Sequence, residues 1–512
     1  MKFQRFGRVF LMFVFSAVCT VSSAQNRFTT EQKEQDFEYL YQTLRENYPY
    51  FGVLQRQTGR DWLAGHDRYL QLVRESVDDK SFAKALQAIM RELGNGHAYV
   101  VGPYMFDEMS RIYHEAAAIP GKERYRRWAA VFDRAQPHYE FLKELYGVQP
   151  AAGGAAGDAG SGYDPARNLS LDMLGGGKIG VLTIHSFGNP AGDSALLMRL
   201  LDSVQSCDHL ILDLRQNGGG NDLYWDHHIM PRLISRTYRW NGPSVLRRGP
   251  IAGTWYEKEF HGFGKAASLP NLPPEVTPED FAVVMDRKVV RPNGKPRFQG
   301  KVWLFVGPRV FSSSESFAAF TKATGWATVA GTRTGGDGIG ADPIPMMLPH
   351  SGFLVIFPAW GGLNPDGSFN FEARTTPDVE ITGASRSEAL ANLVHYIDPT
   401  VEAPLAAGPH VASVAPFRNG TQEVDPSVTA ITFRFSEPMH GFSFSYGPLG
   451  EKAFPEIVKE KSGYSADGME LTLAVKLKPD TEYQIQVLEG FSLRNQAGVS
   501  VEGYLLQFRT RK

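Results

Sequence analysis

Apolar positions between Thr29 and about Leu145 recur at spacings of three and four. Phe37, Leu40, Leu44 and Tyr48 form one such stripe, which Pro49 ends. That period belongs to an amphipathic helix, and proline cannot continue one. Similar stripes predict helices near 61–75, 80–93 and 122–145. Residues 149–162 are Ala/Gly-rich and nearly uncharged, the composition of a linker or surface loop. Beyond it the pattern changes. Short continuous apolar runs at 178–184 and 209–214, with a helical stretch at 192–206 between them, predict a β–α–β unit with strands buried on both faces.

Alternation resumes at Val302, runs through the apolar stretch 353–357, and ends in a helix over 386–397. Residues 221–300 interrupt it as a long insertion carrying Trp225, Trp240, Trp255 and Phe263, with no element assigned. From Pro409 onward, short alternating runs at 430–435, 470–475, 483–487 and 505–509 are separated by turn residues, which predicts one all-β unit. The expected order is a helical domain (25–148), a linker (149–165), an α/β core (166–400) and an all-β domain (403–512).

Composition narrows the partners. With 42% apolar and 21% charged residues the 512-residue chain is globular, and a formal charge of -2 argues against nucleic acid or an anionic membrane as its target. Lys2, Arg5 and Arg8 precede an apolar stretch from Val9 to Val21 and the small residues Ser22, Ser23 and Ala24, the pattern of a secretory signal over 1–24. The stretch is too short to span a bilayer. Export to the periplasm or beyond is therefore expected. Cleavage would leave Cys207 as the sole cysteine, so neither an internal disulfide nor a cysteine metal cluster is expected. Nothing around that thiol would lower its pKa.

Four segments carry candidate chemistry. Phe311-Ser312-Ser313-Ser314-Glu315-Ser316 follows the apolar run 302–307, so a buried strand ends, the chain turns and a helix starts on a hydroxyl. A serine there lies beside free N–H groups and the positive end of a helix dipole, as a nucleophile forming an oxyanion requires. The same letters, Ser312-x-x-Glu315, also spell a capping box. Leu93-Gly94-Asn95-Gly96-His97 ends a helix at two glycines with a histidine at the turn. Asp213-Leu214-Arg215-Gln216-Asn217-Gly218-Gly219-Gly220 follows a strand, where glycines let the backbone turn and present N–H groups. Asp213 and Arg215 could equally pair with each other. Asn370-Phe371-Glu372-Ala373-Arg374-Thr375-Thr376-Pro377-Asp378 contains a glutamate that, alone, reads as solvated.

Taken in order, these motifs resemble the S41 family of serine peptidases, which includes C-terminal processing and tricorn-type proteases. The Thr334-Gly335-Gly336 turn adds to the likeness. The resemblance covers about Phe37 to Ile397 and implies a ClpP/crotonase-like α/β core. It makes Ser312 the nucleophile, His97 the base and Glu372 the third member, with oxyanion N–H groups from Gly219 and Ser313, and it implies no metal or organic cofactor. Some members use a lysine about 25 residues after the serine. Position 337 is Asp337, and no lysine lies between Lys322 and Lys452, so the serine–histidine–glutamate branch is the one resembled. Two departures stand out: Gly96 occupies a position where some members have a serine, and the segment from Glu372 to Pro377 is one residue short.

The all-β unit resembles bacterial immunoglobulin-like modules through Phe435-Ser436-Glu437-Pro438-Met439. The implied activity is a serine endopeptidase or carboxyl-terminal-type peptidase acting on peptides or proteins. A non-catalytic binding protein on the same fold is the alternative, and an acyl hydrolase fits less well because no Gly-x-Ser-x-Gly elbow is present.

Overall fold

The computed structural model describes residues 27–118, 123–148, 163–251, 264–294, 298–403, 408–447, 449–489 and 492–512. The expected signal segment and Ala/Gly-rich linker lie outside these, as do Trp255 and Phe263. Contacts divide the chain into two units: Met1–Gly153 with Arg247–Glu257 and Asp342–Ala359, and Gly154–Leu246 with Lys258–Ala341 and Trp360–Lys512.

The first unit is mainly helical. Its opening helix, Thr30–Asn47, starts on a reciprocal capping box between Thr29 and Gln32 and buries Phe37, Leu40, Tyr41 and Leu44, the stripe read from the sequence. The helices His66–Arg74, Asp79–Arg91 and Glu123–Tyr146 fall near the predicted spans. Two more, Phe51–Thr58 and Phe106–Ala117, were not anticipated. This unit also holds an antiparallel sheet in which Leu354–Phe357 lies between Tyr99–Val100 and Ile344–Met347.

That sheet changes one expectation. The 353–357 run was read as part of the α/β alternation, yet it pairs with the helical unit. Its four strand residues are all buried in either setting, so the hydrophobic pattern could not tell the two apart. The unit is cross-linked by Asp36, whose carboxylate oxygens accept the N–H groups of His350 and Ser351, each at 2.8 Å. Burial raises this carboxyl above its ordinary range against the pull of those bonds.

In the second unit a six-stranded sheet runs in the order Val379–Glu380, Thr328–Gly331, Lys301–Val306, His209–Asp213, Ile179–Ile184, Leu169–Leu174. All neighbours are parallel except the last pair. Side chains alternate into two cores: Leu182, Leu212 and Leu304 meet Phe317 and Phe320 on one face, while Val181, Ile211 and Phe305 meet Leu393 and Val394 on the other. The strands are thus covered on both faces, as their continuous apolar runs required.

The insertion supplies two ten-residue strands, Tyr238–Arg247 and Phe281–Val290, in a small antiparallel sheet with Trp360–Gly362. Its first aromatics are core: Trp225 stacks on Phe317 at 5.0 Å and Tyr224 on Phe187 at 4.8 Å. The C-terminal segment forms antiparallel sheets around one shared core that includes Phe433, Leu473, Ile485 and Phe508. It is fastened to the α/β part, since Arg386 pairs with Glu489 and the Ser387 N–H and hydroxyl both donate to Glu502. Among the described residues, no helix is long and apolar enough to cross a membrane.

Asp36→Ala leaves the buried Ser351 N–H and the half-buried His350 N–H without acceptors and is expected to cost on the order of 3 kcal/mol. Denaturant unfolding checks this; an unchanged midpoint would mean that the loop at 350–351 is held by something else.

Candidate active site

The strand Lys301–Val306 delivers the chain to Ser312, which precedes the buried helix Ser313–Thr324. Every residue of that helix through Thr321 is buried, because Phe317, Ala318 and Phe320 pack into the sheet's core. Ser312 is only partly buried. Its backbone has φ 57° and ψ -126°, a region that costs a side-chain-bearing residue about 1–3 kcal/mol, and its hydroxyl makes no cap hydrogen bond.

The capping-box reading is therefore corrected. A cap residue is extended, with its oxygen turned onto the helix N–H groups. Here the turn is too tight for that, and Glu315 faces away from it into the interior. The hydroxyl that does serve the turn is that of Ser314, which accepts from Phe311 N–H (3.1 Å) and donates to the Asn217 carbonyl (2.6 Å).

Gly219 and Gly338 enclose this turn. A methyl at Gly219 would lie 2.8 Å from Ser312 Cβ and 2.9 Å from Ser313 N, and Gly219 has φ 104°, open to glycine. A methyl at Gly338 would meet Ser312 O at 2.4 Å and Ser316 N at 2.3 Å. The glycine loop and the serine, nearly a hundred residues apart in sequence, are thus in backbone contact. The Gly219 N–H donates to Asn217 Oδ1 at 2.9 Å, so it can serve an oxyanion only by sharing or releasing that bond. The N–H of Ser313 opens the helix, at the end where the dipole is positive.

Asp213 and Arg215 form the structural pair that the sequence allowed. Arg215 Nε and Nη2 donate to the two carboxylate oxygens at 3.0 and 2.7 Å, Nη1 donates to the Arg386 carbonyl, and the guanidinium lies 4.0 Å from the Phe305 ring centroid.

Glu372 lies in the short helix Asn370–Ala373 of the same unit, partly buried. Its segment reaches the serine turn through neighbours: a Cβ at Gly336 would meet Asn370 O at 2.8 Å, and Ser312 N–H points to Gly336 O at 3.4 Å. His97 belongs to the helical unit. It sits between the helix Asp79–Arg91 and the strand Tyr99–Val100, half-buried, with its N–H donated to Asn95 Oδ1 at 2.7 Å. Burial pushes the Cys207 thiol up, in keeping with an inert side chain.

By sequence alone Glu315 is only a cap or a motif letter. It is fully buried, and burial raises its carboxyl to about 7 against the opposing effect of Thr334, Thr375, Asn370 and the Gly336 N–H. The sequence carried little signal for this, because serines flank Glu315 on both sides and only the fold buries them.

A methyl on Gly219 would collide with backbone, so Gly219→Ala is expected to lower the thermal midpoint; an unchanged midpoint would show that the loop can retreat from Ser312. For Glu315 the folded-state pKa is raised from 4.5 to about 7. Its contribution to stability is then full below pH 4.5 and is lost as pH rises toward 7. The midpoint of wild type minus that of Glu315→Gln should fall across that window, by an amount equivalent to about 3 kcal/mol. A flat difference would mean that the carboxyl titrates normally.

Residues 178–381 match the family model described as Peptidase family S41. Among solved structures, a peptidase candidate from Parabacteroides merdae is 20% identical, with a TM-score of 0.45 over 72% of this chain and 96% of the other. Mature CPAF complexed with lactacystin is 12% identical, with a TM-score of 0.44 over 72% and 97%. The photosystem II D1 C-terminal processing protease is 14% identical, with a TM-score of 0.35 over 69% and 94%. The matched span, residues 178–381, holds both the glycine loop and Ser312, and over it this chain is similar to peptidase family S41.

Proposed function

We propose that the protein is an exported serine peptidase working through an acyl-enzyme on Ser312. The observation that carries this reading is the state of Ser312 itself. Its backbone is strained, its hydroxyl is not spent on capping, and it stands at the start of a buried helix against a glycine loop. Ser313 and Ser314 are buried, and the hydroxyl of Ser314 is engaged with Asn217.

In the proposed cycle Ser312 Oγ attacks the scissile carbonyl carbon while its proton passes to the imidazole of His97, the base named by the Leu93–His97 motif. The tetrahedral oxyanion is held by the Ser313 N–H and by the Gly219 N–H once Asn217 shares it. Collapse expels the amine, which takes the proton from His97, and water then hydrolyses the ester by the same steps. Glu372 orients the imidazole. The basic and apolar N-terminal pattern supports export, and the Phe435–Met439 motif with the shared all-β core supports an immunoglobulin-like module after the catalytic part.

Ser312→Ala should fold like wild type and lose peptide cleavage by at least about 10⁴-fold, and His97→Ala should fall comparably. Cleavage of a proteome-derived peptide library, read by mass spectrometry, checks both. Cleavage retained by pure Ser312→Ala would overturn the reading; cleavage retained by His97→Ala alone would move the base elsewhere.

A further inference from the structure

Glu315 is the one carboxyl in the buried stretch Ser313–Thr321, whose other polar side chains are hydroxyls. Its Oε1 accepts from Asn370 Nδ2 at 2.8 Å and from the Thr375 hydroxyl at 2.6 Å. The Thr334 hydroxyl and the Gly336 N–H approach the carboxyl, but Oε2 completes no hydrogen bond among the described residues. The partners are tied to one another and to the serine turn. Asn370 Oδ1 accepts the N–H of Gly338, which packs on Ser312 O, and Thr375 N–H donates to Thr334 Oγ1 at 2.8 Å.

Of the four non-glycine residues with positive φ among the described residues, three lie in the segments so joined: Ser312, Asp337 and Arg374. Strain of this kind persists only where the surroundings over-determine it. An apolar side chain could fill the space at less cost in burial, but it could not hold two loops by their donors.

We propose that Glu315 is a positioning residue for the reaction at Ser312: its carboxyl fixes the 334–338 turn and the 370–375 segment, and Glu372 with them, against the first turn of the nucleophile's helix. The proposal rests on the reading of Ser312 as nucleophile. Glu315 itself touches no substrate.

A carbonyl oxygen at Oε1 suffices for both donors, so Glu315→Gln keeps the clamp and Glu315→Ala removes it. On a cleaved peptide, Glu315→Ala is expected to lower kcat about 100-fold with KM within about threefold of wild type, and Glu315→Gln to retain most of kcat. Thr375→Val, which deletes one donor at constant shape, should lower kcat about tenfold even if Glu315→Ala fails to fold.

Amide hydrogen exchange of the full-length protein decides the clamp independently of turnover. Peptides covering 334–338 and 370–375 should lose protection in Glu315→Ala or Thr375→Val and keep it in Glu315→Gln. Protection unchanged in both disrupting variants overturns the proposal, as does loss of kcat in Glu315→Gln equal to that in Glu315→Ala. Protection lost in Glu315→Ala or Thr375→Val, when wild type itself cleaves no peptide, would support the clamp while refuting the assignment of Ser312.

Discussion

A helix buried on every side cannot easily shift, and the conformation of Ser312 depends on that. Phe317 and Phe320 pin the helix Ser313–Thr324 into the sheet's core, and the strand Lys301–Val306 sets where the chain arrives. Between those fixed ends a left-handed residue is forced at Ser312, and the Gly219 and Gly338 backbones close on it from two sides. A cost of about 1–3 kcal/mol is tolerable because the helix and strand bury far more apolar surface than that. The result is a hydroxyl that makes no cap hydrogen bond to its own helix.

The surrounding polar groups keep that geometry. Ser314 bonds the turn to Asn217, Asn217 in turn accepts the N–H of Gly219, and Asp213 with Arg215 anchors the loop's entry. On the other side Glu315 gathers Asn370 and Thr375. Ser314, Arg215 and Glu315 each take a partner from a distant segment, so the turn is held by residues drawn from across the α/β region. Such networks are costly when incomplete, and among the described residues Glu315 Oε2 and Ser313 Oγ complete no hydrogen bond.

Much of this was legible from the sequence. The stripe at Phe37, Leu40 and Leu44 marked a helix, and continuous apolar runs marked the parallel strands, because period and burial are properties of local sequence. The choice of Ser312 over its two neighbours comes from a motif; in the structure Ser312 is partly buried and Ser313 and Ser314 are buried. Other features were hidden for physical reasons. The strand Leu354–Phe357 pairs outside the six-stranded sheet, and partner choice leaves no mark on a strand buried on both faces. The capping box failed because its letters specify hydroxyl and carboxyl groups but not the dihedral angle between them. Asn217's grip on Gly219 depends on a two-residue turn whose geometry only the fold defines.

The most direct test of the central claim is to expose the purified protein to a fluorophosphonate and locate the adduct by peptide mass spectrometry. A single stable phosphonyl ester on Ser312, absent after prior denaturation, is the predicted result. No adduct, or one on Ser313 or Ser314 instead, would contradict the account.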